Sequence, residues 1–69
     1  MAELQLSVNG ETHSMSGERT IAQLLGDLGV TAKHVAVELN GELVPRTQHA
    51  DQTLTNGDCL EIVTLVGGG

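Results

Sequence analysis

The chain has no aromatic side chain: none of its 69 residues is Phe, Trp or Tyr. Bases of single-stranded nucleic acids stack on aromatic faces, and many protein interfaces are anchored by Trp or Tyr, so both kinds of site are disfavoured. The core must be aliphatic, built mainly from ten Leu, seven Val and two Ile. A chain of this length forms one domain and offers no cleft between domains for catalysis.

Basic residues are also scarce. Only Arg19, Lys33 and Arg46 stand against nine acidic residues, and the formal net charge is -6. This charge repels phosphate backbones and anionic lipid headgroups, so neither a nucleic acid nor a membrane is expected as a partner. A protein partner with a basic docking surface is favoured, and its complex with this chain should weaken as salt rises.

Few residues are suited to disulfide, metal or nucleophilic chemistry. The single cysteine, Cys59, cannot form an internal disulfide, and its place in an apolar strand predicts a small buried side chain. His13, His34 and His49 lie in separate segments without metal-ligand spacing, so we expect no metal site. No catalytic constellation is recognisable. No apolar run approaches the ~20 residues of a membrane span and no signal-peptide pattern is present, which predicts a cytoplasmic protein.

The first elements predicted are a β-hairpin and a helix. Residues 3–8 alternate polar and apolar, and the Asn9-Gly10 dipeptide is the preferred loop of a type I′ hairpin, so residues 11–15 should return antiparallel. Thr20 then occupies a helix N-cap position, with Gln23 completing a capping box. One apolar stripe of the helix consists of Ile21, Leu24, Leu25 and Leu28, and Gly29 follows as its C′ residue.

The second half of the chain predicts three more strands. Residues 35–39 and 42–44 flank another Asn-Gly turn, and Pro45 ends the second of them. Residues 46–55 are polar and predict irregular structure with one short 3₁₀ turn. Residues 59–66 include six apolar side chains out of eight, which predicts a central strand that is apolar on both faces.

This order of elements predicts an α+β fold of the β-grasp (ubiquitin-like) type. In it, a mixed sheet of four to five strands has one helix packed across one face. The first and last strands pair in parallel at the centre, since the connection through the helix is long enough for a crossover.

Gly67, Gly68 and Gly69 follow the last predicted strand without a spacer. Glycine has no Cβ and fits a channel too narrow for other residues, and three extended residues reach roughly 10 Å. We therefore expect a folded domain of residues 1–66 and a flexible tail of residues 67–69. The tail would deliver the terminal carboxylate into the active site of another protein.

The whole pattern resembles a known family, the ubiquitin-like sulfur carriers of the ThiS/MoaD type, and specifically those of thiamine thiazole biosynthesis. The segments that carry this resemblance are residues 8–11, 20–25, 35–46 and 56–69. Residues 40–46 combined with residues 56–63 are specific to the family, whereas a terminal Gly-Gly is shared by many ubiquitin relatives. Gly67, a third glycine, departs from the commonest form and lengthens the tail.

The resemblance implies that the protein is a substrate of partner enzymes and not an enzyme itself. An adenylating enzyme resembling ubiquitin E1 would use ATP and Mg²⁺ to convert the Gly69 carboxyl group to an acyl adenylate. Sulfur from a persulfide made by a cysteine desulfurase would displace AMP. The resulting thiocarboxylate would be consumed by a thiazole synthase, which forms the thiazole ring of thiamine. No cofactor is expected to be bound by the chain.

Recognition by these enzymes requires a docking surface, for which the sequence offers Arg46, Val44, Leu65 and Val66. Arg46 is either a partner contact or an ordinary solvated turn residue. Leu43 and Val44 are adjacent on one strand and point to opposite faces, so one should be buried and the other exposed. The exposed one, together with Leu65 and Val66, would form an apolar patch on the sheet face opposite the helix.

Two other functions stay open. The small subunit of molybdopterin synthase also carries a thiocarboxylate, but that family is usually longer, often has an aromatic residue before the glycines, and lacks the pattern of residues 40–46. A ubiquitin-like modifier or a plain interaction domain is the alternative from a different class. Lys33 is the only lysine, which nearly excludes polymeric chains linked through lysine.

Overall fold

A computed structural model describes residues 3–31 and 34–64 of the chain. These residues form five strands, one α-helix and one 3₁₀ turn. In chain order they are β1 (Glu3–Val8), β2 (Glu11–Ser16), α1 (Ile21–Asp27), β3 (Val35–Leu39), β4 (Glu42–Val44), the 3₁₀ turn (Arg46–Gln48) and β5 (Cys59–Thr64). The strands make one sheet in the order β2-β1-β5-β3-β4. The predicted β-grasp architecture is therefore confirmed, with five strands.

Both Asn-Gly dipeptides form the tight turns predicted for them. Asn9 and Gly10 have φ angles of 51° and 84°, and Asn40 and Gly41 have φ angles of 52° and 87°. Positive φ at both central positions is the requirement of a type I′ turn, which asparagine and glycine meet at the lowest cost. The turns fix the antiparallel registers of β1 with β2 and of β3 with β4.

The centre of the sheet is a parallel pair. β1 and β5 pair in parallel through Ser7 with Cys59 and Val8 with Leu60. β5 pairs antiparallel with β3 on its other edge. The prediction that the last strand lies in the middle of the sheet, parallel to the first, is confirmed.

The helix begins at the predicted capping box. The Thr20 hydroxyl accepts a hydrogen bond from the Gln23 backbone N–H at 3.2 Å, and the Gln23 side chain accepts one from the Thr20 backbone N–H at 2.9 Å. The helix ends at Asp27, with Leu28 as its C-cap and Gly29 at a φ of 74°. These contacts satisfy backbone groups that a short helix otherwise leaves to water.

The segment after the 3₁₀ turn packs against the start of this helix. The backbone N–H groups of Ile21 and Ala22 donate to the carbonyl oxygens of Gln52 and His49, each at 3.0 Å. The helix N-terminus is therefore occupied by the chain's own carbonyl groups. The predicted irregular segment with a single 3₁₀ turn is confirmed.

The core lies between the helix and one face of the sheet. Ile21 and Leu24 of the helix are fully buried. The remaining core side chains are Leu4, Leu6, Val8, Val37, Val44, Leu54 and Leu60.

One expectation about β5 is wrong. The strand is central, but Cys59 and Glu61 are exposed and Val63 is 53% exposed. The single helix covers only one face of the sheet, so alternate residues of β5 face away from the core. Cys59 is consequently a surface thiol and not the buried side chain that the apolar strand predicted.

Candidate functional site

We call the sheet face opposite the helix the open face. Strand alternation and the pairing registers decide which side chains belong to it, because Leu6, Val37 and Leu60 define the core side of their strands. The open face comprises Glu3, Gln5, Ser7, Thr12, Ser14, Ser16, Ala36, Glu38, Leu43, Cys59, Glu61 and Val63.

Two large aliphatic side chains are exposed on the open face. Leu43 of β4 is 66% exposed and Val63 of β5 is 53% exposed. Val63 pairs across the strands with Ala36, and Leu43 pairs with Glu38. Single exposed aliphatic residues are ordinary, but two on one face beside a half-buried alanine give that face apolar area for a protein contact.

Two carboxylates lie opposite each other beside these apolar side chains. Glu38 of β3 and Glu61 of β5 are register partners in the antiparallel pair, and both are exposed. Directly opposed side chains in such a pair have Cβ atoms about 4.5–5.5 Å apart, so like charges there repel. The open face is acidic at its centre, with apolar side chains at Leu43 on β4 and in the next row at Ala36 and Val63, and with polar side chains on β1 and β2.

β5 is held at both edges by asparagine side chains. The Ile62 N–H donates to Asn9 Oδ1 at 2.7 Å, and Asn9 Nδ2 donates to the Ile62 carbonyl oxygen at 3.1 Å. On the other edge, the Cys59 N–H donates to Asn40 Oδ1 at 2.9 Å, and the Asn40 N–H donates to the Cys59 carbonyl oxygen at 2.7 Å. The two turn asparagines thus fix the strand that leads to residues 65–69.

Asp58 joins the two turns that precede β4 and β5. Its carboxylate accepts hydrogen bonds from the Thr55 N–H at 2.8 Å, from Asn40 Nδ2 at 3.0 Å and from the Thr55 hydroxyl at 3.1 Å. Partial burial raises the pKa of Asp58, but these hydrogen bonds to the charged form outweigh it and hold the pKa below its ordinary value. The carboxylate is therefore a structural link between the β3–β4 hairpin and the start of β5.

A shallow depression of about 460 Å³ lies beside the point where β1 ends and β5 continues. Its lining includes Asn9, Cys59, Glu61 and Val63. The depression opens on the same face as the exposed valine and the central carboxylates, so it belongs to the open face.

Of the docking residues predicted from the sequence, one is buried, one is exposed and two lie outside the described residues. Val44 is only 9% exposed and packs in the core, so its assignment to a docking surface is corrected: its neighbour Leu43 is the exposed member of the pair. Arg46 is exposed at the start of the 3₁₀ turn, and its role as a partner contact stays a prediction. Leu65 and Val66, and the tail Gly67, Gly68 and Gly69, lie outside the described residues.

The histidines are separated in the structure. His13 Nε2 lies 3.9 Å from a Glu11 carboxylate oxygen on β2. His49 is buried, with Nε2 3.1 Å from the Val44 carbonyl oxygen. Within residues 3–31 and 34–64, no three His, Cys, Asp or Glu side chains gather as a metal site would require. Over the same part of the chain, no helix has the length and apolar character needed to cross a bilayer.

Sequence reasoning missed the opposed Glu38 and Glu61 and the exposure of Cys59 and Val63. The alternation of side chains along β5 could have revealed the exposure, because once Leu60 is assigned to the core, residues 59, 61 and 63 must face outward. The opposition of the two glutamates depends in addition on the register between β3 and β5, which no local pattern specifies.

Comparison with known proteins gives a consistent set of relatives. The model of the ThiS family matches residues 3–69. The chain is 46% identical over 66 residues to a thiazole synthase from Paramagnetospirillum magneticum, a match that covers 96% of this chain and 20% of that protein. The chain thus spans about one fifth of the length of that relative.

Two further relatives match over most of their own length. The sulfur carrier protein ThiS of Thermus thermophilus is 39% identical over 62 residues, covering 90% of this chain and 95% of that protein. The crystal structure of the thiamine biosynthesis protein ThiS from Geobacter metallireducens superposes with a TM-score of 0.82 at 36% identity, covering 96% of this chain and 100% of that one.

Proposed function

The chain belongs to the ThiS family, and on that premise we propose that it is a sulfur carrier of thiamine biosynthesis whose reactive group is the carboxyl group of Gly69. The observation that carries the proposal is the family match, which extends over residues 3–69 and therefore includes the three glycines. The chain acts as a protein substrate, and the catalytic groups belong to its partners.

The first step is activation of the carboxylate, which is a poor electrophile. An oxygen of the Gly69 carboxylate attacks the α-phosphorus of ATP in an E1-like adenylating enzyme, and pyrophosphate leaves. The product is an acyl adenylate with AMP as a good leaving group. Glycine residues at the end of the chain suit this step, since a narrow channel admits them and excludes side chains.

Sulfur transfer follows. The terminal sulfur of a persulfide, formed by a cysteine desulfurase, attacks the acyl carbon and displaces AMP, which gives an acyl disulfide. A second thiol cleaves that disulfide and is itself oxidised, leaving the Gly69 thiocarboxylate. With sulfide as donor, AMP is displaced directly and no reductant is needed. A thiazole synthase then takes the sulfur for the thiazole ring.

The open face is the docking surface for these partners in this proposal. Its exposed Leu43 and Val63 supply apolar contact area, and Val63 lies on the strand that leads to the tail. Five residues separate Thr64 from the end of Gly69, and they span at most about 17 Å when fully extended. A partner that binds the open face therefore meets the Gly69 carboxylate within that distance of Thr64.

A thiazole synthase as partner is supported by one of the relatives. A fifth of the Paramagnetospirillum magneticum protein named thiazole synthase aligns with this chain. That alignment links the carrier-like segment to a thiazole synthase within one polypeptide. We propose the corresponding association for this chain.

Intact-mass measurement tests the proposal. The 69-residue chain is incubated with the adenylating enzyme, ATP, Mg²⁺ and sulfide, and replacement of one carboxyl oxygen by sulfur adds about 16 Da. A matched control carries one extra serine after Gly69 and should gain nothing. The Gly68→Ala variant should react more slowly while keeping the thermal stability of the unchanged chain, because the added methyl group meets the partner's channel.

Each result has a definite meaning. An unchanged mass for the 69-residue chain would contradict the carrier function. Sulfur incorporation into the serine-extended chain would place the reaction somewhere other than the Gly69 carboxyl group. The same incubation separates this function from that of a ubiquitin-like modifier, which ends in an amide linked to another protein and not in a thiocarboxylate.

A further inference from the structure

At the centre of the open face two like charges face each other, an arrangement that is unfavourable for the stability of the sheet. Glu38 and Glu61 are direct cross-strand partners on β3 and β5, and both are exposed. Opposite charges at such positions stabilise a sheet, whereas like charges destabilise it. Across residues 3–31 and 34–64, the ion pairs involve Glu11 and Asp27 and leave these two glutamates without a cation.

The surroundings of the two glutamates define what fits above them. Leu43 lies beside Glu38 on β4, and Val63 and Ala36 form the next row of the same face. A side chain that suits this surface has a cationic head for the two carboxylates and an aliphatic stem for the leucine and valine. Arginine and lysine have both features, and arginine also forks onto carboxylates.

We propose that Glu38 and Glu61 together form the receptor for one basic side chain of the adenylating partner, with Leu43 and Val63 packing around its stem. This inference rests on the proposed function and names the chemistry of its docking step. The partner's cation removes the repulsion between the two carboxylates, so the unfavourable arrangement in the free chain becomes favourable in the complex. The fold tolerates the opposed charges because both are solvated until docking.

The test compares docking with stability in the same variants. ATP–pyrophosphate exchange measures adenylation and gives KM and kcat for the carrier. Glu38→Gln and Glu61→Gln should each raise KM about tenfold, as expected for the loss of one charge-assisted contact, and leave kcat unchanged. Their melting temperatures should equal or exceed that of the unchanged chain, because the repulsion is gone.

A charge-reversal variant gives a second test of the proposed receptor. Glu61→Lys places a lysine opposite Glu38, so it should stabilise the fold and at the same time weaken docking more than the neutral variant does. Glu42→Gln is the matched control: Glu42 is exposed on β4 but alternates with Leu43, so it lies on the other side of the sheet. It removes the same charge and should change KM by less than about twofold.

The outcomes distinguish this inference from the function on which it rests. If the unchanged chain is adenylated and the Glu38 and Glu61 variants have the KM of Glu42→Gln, net charge steers the encounter and the proposed receptor is wrong. A fall in melting temperature for both neutral variants would likewise assign the glutamates to the fold. If the unchanged chain is not adenylated at all, both the carrier function and its docking step are refuted.

Discussion

Asp58 offers a quantitative prediction, because its carboxylate joins two turns and its contacts are defined. Replacing it with asparagine removes the charge and puts an NH₂ group where one carboxylate oxygen accepts a hydrogen bond. That oxygen faces either the N–H of Thr55 at 2.8 Å or the amide of Asn40 and the hydroxyl of Thr55 at 3.0 and 3.1 Å. At least one donor therefore loses its acceptor in either orientation of the new amide.

The loss is about 1–2 kcal/mol, since a hydrogen bond to a charged acceptor is worth somewhat more than a neutral one and this site is partly solvated. For a domain of this size, 1 kcal/mol shifts the melting temperature by roughly 4–8 °C, so Asp58→Asn should melt roughly 5–15 °C lower at pH 7. The chain has no aromatic residue and hence no useful intrinsic fluorescence. Far-UV circular dichroism is the appropriate measurement.

The pH dependence follows from the lowered pKa of Asp58. A carboxyl group with a lower pKa in the folded state stabilises the fold above its unfolded pKa, about 3.9, and this stabilisation is lost as pH falls through the folded pKa. The melting temperature of Asp58→Asn should thus lie below that of the unchanged chain by the full amount at pH 7, and the two should converge as the pH falls below about 4. Asp51→Asn, a change at an exposed turn position, is the control and should leave the melting temperature unchanged at both pH values. A difference that persists undiminished to pH 2 would refute this account.

Two further predictions concern the surface. Val44→Ala should lower the free energy of unfolding by about 2 kcal/mol because Val44 is buried, whereas Leu43→Ala should change it by less than about 0.5 kcal/mol and instead raise the KM for adenylation. Chemical denaturation measures the free energy of unfolding, and exchange kinetics measure the KM. Equal destabilisation by the two variants would contradict the assignment of Val44 to the core and of Leu43 to the open face. Cys59 is exposed, so a disulfide reagent should titrate one thiol in the native protein without denaturant, and reaction only after unfolding would contradict its surface position.

The local elements could be predicted from the sequence because their signals are local. The Asn-Gly turns require positive φ at consecutive positions, and the capping box of Thr20 and Gln23 needs only a spacing of three residues. Both features appear in the structure as predicted. The parallel pairing of the first and last strands at the centre of the sheet followed from the length of the helical connection and the apolar character of the last strand.

The faces of β5 could not be read from composition. An apolar run predicts burial on both sides, yet Val63 is largely exposed and Cys59 is at the surface. The physical reason is that an apolar residue on an exposed sheet face looks, in sequence, the same as one in the core. The opposition of Glu38 to Glu61 was missed for a related reason, since cross-strand register is a property of the tertiary fold.

The hydrogen bonds that anchor β5 connect the open face with the tail in the proposed cycle. Asn9 holds one edge of the strand at Ile62, and Asn40 holds the other at Cys59. Glu61 lies between those two anchors on the open face, so in the proposed complex a partner cation bound there contacts the part of β5 that both asparagines hold. Gly69 follows Glu61 by eight positions, which limits their Cα–Cα distance to about 28 Å. In the proposed complex, the partner's basic side chain and its ATP are therefore separated by at most that distance plus the reach of the Glu61 side chain and the Gly69 carboxyl group, and a shorter tail would require them to be closer.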